Sequence, residues 1–267
     1  MTDLYYKYKN EYINLKKNLT QRGGAPFFNN NTTFYVLANI TNQNLVQAIE
    51  QRWNILLGQN KKPFNNLPHI TILQLEINKA NPNSNIFWNP TFHNVIRATY
   101  TNTLASANGL NLTSPMGGYS ILGTTPKYFV REYIADDTNK ISTFRIQVYK
   151  YIEQQLGQPT KSQRLHNNVN YIIYSYGGNE LYAVPEYYHG KGVWVAHLSL
   201  ANEFDIKNNN AQLFQEFGSK NIDDDKRDVL VNKIQKYNVT PMSRINMHNE
   251  MTNITISLRT GKQTETF

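Results

Sequence analysis

Residues 68–77, PHITILQLEI, place a histidine and a threonine two positions apart in a run of apolar side chains. In a β-strand, residues i and i+2 face the same side of the sheet, so His69 and Thr71 are predicted to project together. Ile70 and Ile72 are then predicted to face the opposite side. This stretch therefore predicts a strand with one apolar face and with an imidazole and a hydroxyl side by side on the other face.

A second stretch, VAHLSLA at residues 195–201, repeats this pattern. His197 and Ser199 share one predicted face, and Leu198 and Leu200 share the other. A bare His-x-Ser/Thr pattern is weak evidence, and a single such histidine is more often a hydrogen-bonded structural residue. Here both histidines have apolar residues at positions −2, +1 and +3, which none of the other four histidines has. The repeated context therefore indicates a functional pair.

Composition limits the classes of protein to which this chain can belong. The 267 residues are 40% hydrophobic, which is enough to bury the core of one large domain or two small ones. There is no cysteine, which excludes disulfides, thiolate nucleophiles and cysteine-ligated zinc. The formal net charge of +8 favours a polyanionic partner, although an equally good explanation is that the surplus keeps the chain soluble.

The sequence divides into three predicted parts. Residues 1–24 are predicted to form an amphipathic helical leader that ends in Gly23-Gly24, and residues 25–32 a linker. Residues 33–267 are predicted to form the domain, which we expect to fold without the leader. We find neither a secretory signal nor a stretch that approaches the roughly 18 apolar residues of a membrane span, so we expect a cytoplasmic protein with no membrane partner.

Apolar periodicity predicts a mixture of strands and helices and hence the α+β class. Each half of the chain passes from a helix through a loop or hairpin into one of the two histidine strands, which is a coarse duplication. The predicted elements are strands at 33–40, 69–77, 192–204 and 251–261, helices at 42–58, 89–109 and 141–157, and hairpins at 118–135 and 170–188.

Two histidines and two hydroxyls suit the cleavage of a phosphodiester. The reaction needs one group to remove a proton from the attacking oxygen and another to donate a proton to the leaving oxygen, and histidine titrates near neutral pH. Hydroxyls can hold the non-bridging oxygens as their negative charge grows. The sequence contains no H-E-x-x-H, G-x-x-x-x-G-K-[ST] or G-x-S-x-G motif, so it predicts neither a metal site nor a cofactor.

The pair PHITI and AHLSL resembles the signature of the two-histidine (2H), LigT-like phosphoesterase superfamily. The resemblance implies a bilobal α+β fold in which two pseudo-twofold-related antiparallel-sheet lobes, with helices on the outside, flank a central cleft. It also implies that His69 and His197 are catalytic and that Thr71 and Ser199 bind the phosphate.

The resemblance covers roughly residues 33 to 260, but only the two motifs are specific. The histidines stand 128 positions apart, wider than in compact members of the family, so we expect insertions that include the region 158–191. Aromatic and basic residues near the cleft are candidates to stack on a base or to meet a phosphate, with core packing of the aromatics as an equal alternative. These candidates are Tyr187, Tyr188, His189, Lys191 and Trp194, followed by Tyr119 and Arg131.

The leader, YYKYKNEYINLKKNL, and the asparagine-rich composition resemble proteins of giant DNA viruses, and Gly23-Gly24-Ala25 resembles a viral Gly-Gly-X cleavage site. Viral members of the superfamily degrade immune messengers. We therefore expect a monomeric phosphodiesterase in the host cytoplasm or packaged in the virion. Its expected substrate is a small nucleotide or short oligonucleotide, namely 2′-5′ oligoadenylate or a cyclic dinucleotide. The alternatives are an RNA-end 2′,3′-cyclic phosphodiesterase and a non-catalytic nucleotide-binding or virion protein.

Overall fold

The structure is a computed structural model, and the predicted leader at 1–24 and most of the predicted linker lie outside the residues that it describes. The described residues are 31–58, 68–78, 80–114, 119–122, 128–166, 169–176, 180–185, 196–210, 244–261 and 263–267.

Strands and helices alternate along the described part of the chain. The strands are β1 (Asn31–Asn39), β2 (His69–Asn78), β3 (Asn111–Thr113), β4 (Tyr119–Leu122), β5 (Tyr128–Ala135), β6 (Thr160–His166), β7 (Val169–Tyr176), β8 (Glu180–Pro185), β9 (Ala196–Asn202), β10 (Arg244–Asn246), β11 (Asn253–Thr260) and β12 (Gln263–Thr266). The helices are α1 (Gln43–Leu57), α2 (Pro90–Thr103), α3 (Thr138–Leu156), α4 (Glu203–Asn209) and α5 (Met247–Glu250), with a 3-10 helix at Pro82–Trp88 before α2.

The described strands form one large antiparallel sheet. Eight of them follow the order β10-β3-β5-β9-β2-β1-β11-β12, and β4 adds to the edge of β5. Strand β7 pairs with β6 on one side and with β8 on the other, and β8 joins the outer part of β2. Every one of these pairings is antiparallel. The architecture is therefore mixed α+β, as the sequence predicts.

Helices and sheet share one apolar core. The helices α1, α2 and α3 each bury one apolar side, and these residues join the buried side chains of the central strands in a single cluster. Helices α1 and α3 end where predicted, at Gly58 and Gly157, whose φ angles of 87° and 84° suit glycine. Among the helices that the structure describes, none is long and apolar enough to span a membrane.

Strand β1 begins at Asn31, two residues before the predicted domain boundary at residue 33. Asn31 and Thr32 belong to β1, where they pair with Asn78 and Ile77. Thr32 is fully buried, and its Oγ1 lies 2.6 Å from Oγ1 of Thr260 on β11. The prediction of a linker up to residue 32 is therefore wrong at its end, because polar residues can pair in a strand when a partner hydroxyl satisfies them.

Two elements end earlier in the structure than the sequence predicts. The helix predicted to reach residue 109 ends at Thr103, after which the chain turns back and the Leu110 N–H donates to the Leu104 carbonyl over 2.9 Å. The strand predicted to reach residue 204 ends at Asn202, because the Asn202 side chain caps α4 by accepting a hydrogen bond from the Asp205 N–H.

The region predicted as an insertion, 158–191, contains a strand that the sequence did not indicate. The predicted hairpin is present as β7 and β8, but β6 precedes it and pairs with residues 169–175 of β7. The sequence of β6, TKSQRLH, has no alternating apolar residues, so its strand conformation depends on its partner. The three strands attach where Glu76 pairs with Ala183, at the end of β2 remote from His69.

Candidate functional site

The first predicted histidine strand is confirmed in β2. His69 and Thr71 are half-buried, whereas Ile70 and Ile72 are fully buried in the core. Because alternate residues of a strand face opposite sides, the two polar side chains share the face that is turned away from the core.

The second histidine strand, β9, repeats this arrangement. His197 and Ser199 are half-buried, while Leu198 and Leu200 are fully buried. The helices α1 and α4 pack against β9, and their buried residues belong to the same cluster as these two leucines. These two helices therefore cover the leucine face of β9, and the histidine side chain belongs to the opposite face.

The two histidine strands are direct neighbours in the sheet, although their motifs lie far apart in the sequence. Ile70 of β2 pairs with Leu198 of β9 in antiparallel orientation. Continued by one residue in each direction, this register puts His69 opposite Ser199 and Thr71 opposite His197. All four side chains then project from the same side of the sheet, which we call the histidine face.

The register fixes the approximate dimensions of this group. Directly opposite residues of an antiparallel pair have Cβ atoms about 4.5–5.5 Å apart, and diagonal neighbours are about 7–8 Å apart. His69 and His197 occupy one diagonal of the four-residue group, and Thr71 and Ser199 occupy the other. The two histidines thus stand at opposite corners of this group, and the two hydroxyl residues stand at the other corners.

A β-bulge follows the motif in each half of the site. Between β1 and β2 the register shifts so that Ile72 is skipped, and between β5 and β9 it shifts so that Leu200 is skipped. Each skipped residue lies three positions after the histidine. A bulge bends its strand and increases the local twist, so the two strands are distorted at equivalent places.

Two further polar residues flank the histidines on the outer strands. Asn39 of β1 pairs directly with His69, and Glu132 of β5 pairs directly with His197. The prediction from sequence missed both residues. Alternation along YFVREYIA indicates which residues share a side with Glu132, but it gives no sign that β5 would lie beside β9.

The neighbours of the two hydroxyls are apolar. Leu37 pairs with Thr71, and Val130 pairs with Ser199, and both apolar residues are buried. Each half of the site therefore has a polar residue beside its histidine and an apolar residue beside its hydroxyl.

A buried arginine supports the site from the core side. Arg145 of α3 is only 2% exposed, and its Nε donates a hydrogen bond of 3.1 Å to the carbonyl oxygen of Ile72. Ile72 is the residue skipped by the bulge after the first motif. The guanidinium therefore binds the backbone at the point where β2 departs from regular pairing.

The sheet does not bring all the predicted substrate contacts to the histidine face. Arg131 pairs with Leu198, so it belongs to the opposite, leucine-bearing face of the sheet, and Tyr119 pairs with Arg131 in the backbone register. The remaining candidates lie outside the described residues, and their contact with substrate stays a prediction; they are Tyr187, Tyr188, His189, Lys191 and Trp194.

Two other histidines have structural surroundings. His93 of α2 is 3% exposed, its Nε2–H donates to the Phe87 carbonyl over 2.7 Å, and its ring packs at a tilt against that of Phe267. Burial lowers the pKa of His93 and, with the nearby Arg97, outweighs the opposing effect of the bond to Phe87. Exposed His248 donates from Nδ1 to the Ala105 carbonyl.

Comparison with other proteins adds no family assignment. No protein-family model matches the sequence, and no curated protein is significantly similar to it. Among the residues that the structure describes, no three His, Asp or Glu side chains gather closely enough to hold a metal ion. The case for a function therefore depends on the two motifs and on their register in the sheet.

Proposed function

We propose that this protein is a metal-independent phosphodiesterase of the two-histidine kind, in which His69 and His197 act as general base and general acid. The observation that carries the proposal is the antiparallel pairing of Ile70 with Leu198. This pairing supports one site built by two strands, because it makes both histidines neighbours on the face that is turned away from the core.

The diagonal arrangement suits an in-line displacement at phosphorus. The attacking and leaving oxygens lie on opposite sides of the phosphorus, so the base and the acid must also lie on opposite sides. A separation of about 7–8 Å between diagonal residues leaves space for one phosphate between the two rings. Thr71 and Ser199, on the other diagonal, are then available to donate hydrogen bonds to the non-bridging oxygens.

The order of the strands supports a bilobal, LigT-like arrangement. In the continuous order of eight strands, four lie on each side of the β2–β9 boundary, namely β10-β3-β5-β9 on one side and β2-β1-β11-β12 on the other. The equivalent bulges at Ile72 and Leu200 fit an approximate twofold relation between the halves. We infer two lobes that meet at this boundary, with the cleft above the histidine face.

We propose a nucleotide with a 2′-5′ bond as the substrate, either 2′-5′ oligoadenylate or a cyclic dinucleotide. Such a bond leaves the 3′ hydroxyl free beside the phosphate, and attack by that hydroxyl forms a 2′,3′-cyclic phosphate and releases the 5′ oxygen with a proton. This route needs a base and an acid but no positioned water, so it suits two histidines. The surplus of positive charge on the chain favours a polyanionic substrate.

The test is a matched panel of adenylates that differ only in linkage. We expect 2′-5′-linked dimers and trimers to be cut at least about tenfold faster than 3′-5′ counterparts, a difference of about 1.4 kcal/mol in barrier. A 2′-5′ dimer that lacks the 3′ hydroxyl should resist cleavage, because it has no internal nucleophile. The double variant His69→Ala/His197→Ala is the enzyme control, and EDTA should leave the rate unchanged.

Each alternative has its own outcome in this panel. Cleavage of 2′,3′-cyclic ends alone would move the protein to RNA-end processing. Binding of the nucleotides without turnover of any of them would support a non-catalytic nucleotide-binding protein. Activity lost in EDTA and restored by a divalent ion would contradict the metal-independent mechanism.

A further inference from the structure

The two histidines of the site differ in their neighbours on the outer strands. The β5–β9 register places Glu132 directly opposite His197, and the β1–β2 register places Asn39 directly opposite His69. Equivalent positions of the two halves therefore carry a carboxylate in one case and a neutral amide in the other. Residues that are otherwise arranged alike thus have different electrostatic surroundings.

The amide of Asn39 is oriented by a bond on its far side. Asn39 is 5% exposed, and its Nδ2 donates a hydrogen bond of 2.8 Å to Oγ1 of Thr255 on β11. Because β1 lies between β11 and β2, the donor group of this amide is turned away from β2. The amide oxygen is then the group available to accept an N–H from His69, which a neutral imidazole can supply.

The carboxylate of Glu132 favours a proton on the neighbouring ring. Glu132 is half-buried, and the Cβ atoms of such a pair lie about 4.5–5.5 Å apart. A negative charge at this range stabilises an imidazolium, whereas a second imidazolium on the diagonal destabilises it. Of the two histidines, the one beside the carboxylate therefore takes the first proton.

Among the residues that the structure describes on β2 and β9, the other groups placed around His197 are neutral, apart from the ionisable ring of His69. β2 presents Thr71 opposite His197 and presents His69 on the diagonal, and Ser199 follows on β9 itself. Arg131, the nearest cation on β5, pairs with a residue of the other face. Glu132 is thus the carboxylate that the described neighbouring strands place beside this ring.

The helices that contact β9 carry their described ionisable groups behind the sheet. Helix α1 contributes Glu50 and Arg52, and α4 contributes Asp205 and Lys207. Both helices bury apolar residues in the core on the leucine side of β9, so the sheet separates these groups from His197. Asp205 is in addition bound by the capping residue of α4.

We infer that Glu132 is a positioning residue that keeps His197 protonated, so that His197 is the general acid and His69 the general base. The assignment of catalytic roles rests on the proposed phosphodiesterase function, whereas the order of protonation does not.

In the step that follows, atoms and charges balance. Neutral His69 takes the proton of the attacking hydroxyl while the hydroxyl oxygen forms a bond to phosphorus. The bond from phosphorus to the leaving oxygen breaks, and that oxygen takes the proton of His197. The site ends with His69 protonated and His197 neutral, and exchange of one proton with solvent restores the starting state.

The first experiment measures protonation without any substrate. Ring resonances of isotopically labelled histidines are followed against pH by NMR and assigned with His69→Gln and His197→Gln. We expect His197 to titrate at higher pH than His69, and Glu132→Gln to lower the His197 midpoint by at least about half a pH unit, which allows for partial solvent screening. A His197 midpoint below that of His69, or one that Glu132→Gln leaves unmoved, would overturn the inference.

Two variants control for general effects of the substitution. Glu76→Gln removes a carboxylate from β2 seven positions beyond His69 and should leave both midpoints in place. Asn39→Asp places a carboxylate beside His69 and should raise the His69 midpoint. If Asn39→Asp does not fold, the Glu132→Gln and Glu76→Gln pair still decides the question.

The second experiment measures the pH dependence of kcat/KM. Activity requires protonated His197, so the alkaline limb reports this residue, and Glu132→Gln should move that limb to lower pH while the acid limb stays. Glu132→Asp keeps the negative charge, so it should move the alkaline limb less than Glu132→Gln does. If the enzyme is active but His69 titrates at higher pH than His197, only the inferred role of Glu132 is contradicted. If the protein is inactive but His197 titrates at higher pH than His69, only the proposed phosphodiesterase function is contradicted.

Discussion

The β1–β2 half and the β5–β9 half of the site share a backbone plan but differ in chemistry. Both inner strands alternate half-buried polar residues with buried apolar ones, and both have a bulge three positions after the histidine. The outer strand supplies Asn39 in one half and Glu132 in the other. The two halves therefore repeat the geometry of the strands, while the neighbouring side chain on the outer strand distinguishes the two histidines.

The likeness of the halves extends to the helices behind the sheet. Arg52 follows Asn39 by 13 positions, and Arg145 follows Glu132 by 13 positions as well. Each arginine lies on the helix that follows its outer strand, and both are almost completely buried. A buried guanidinium is costly unless it is paired, so its recurrence at equivalent places indicates a shared structural role.

The largest expected effect comes from removing either histidine. His69→Ala and His197→Ala should each lower kcat/KM by at least about 10³-fold, since a general acid or base contributes about 10²–10⁴-fold. His248→Ala is the matched control, because this exposed histidine lies outside the site. If either site variant is folded by circular dichroism and has near-normal activity, the two halves do not both contribute a catalytic histidine.

Removing either hydroxyl should have a smaller effect on the same measurement. Thr71→Ala and Ser199→Ala should each lower kcat about 10–10³-fold, as loss of a donor to a developing oxyanion does. Thr71→Ser and Ser199→Thr keep the hydroxyl and should retain most of the activity. A large loss in only one half would show that one hydroxyl alone contacts the phosphate.

A third prediction concerns stability rather than catalysis. Arg145→Met should lower the free energy of unfolding by about 1.5–3 kcal/mol, because it removes a charged donor to the buried Ile72 carbonyl. Lys150→Met, at an exposed position of the same helix, is the control. Arg52→Met measures whether the second half depends equally on its arginine. Urea unfolding gives all three values, and a stable Arg145→Met variant would contradict the supporting role.

The smallest expected effect separates a structural histidine from the site pair. Burial lowers the pKa of His93 below its ordinary value of 6.5, so the unfolded chain binds a proton more readily than the folded one. The stability due to neutral His93 is therefore present above that value and is lost as pH falls below it. His93→Gln should weaken this loss between pH 7 and pH 5 in thermal unfolding. An unchanged dependence on pH would contradict the role of His93.

Local features of the fold could be predicted because they depend on neighbours in sequence. The strand faces of His69 and His197 follow from alternation, and the ends of α1 and α3 follow from Gly58 and Gly157. Elements without such signals were missed or misjudged. The polar strand β6 is one example, and the early end of the helix at Thr103 is another.

The candidate histidines and hydroxyls of the site can be identified from the amino-acid sequence alone. The two motifs, the apolar residues between them and the absence of cysteine all belong to the chain as written. The proximity of the two motifs, in contrast, depends on the tertiary structure. Strand pairing brings together residues that are far apart in sequence: Ile70 pairs with Leu198, and Glu132 pairs with His197. The alternation of polar and apolar residues along a strand has a period of two, and it specifies only the face of the sheet on which each side chain lies. The partner and its register depend on the bulges and on the packing of the whole core.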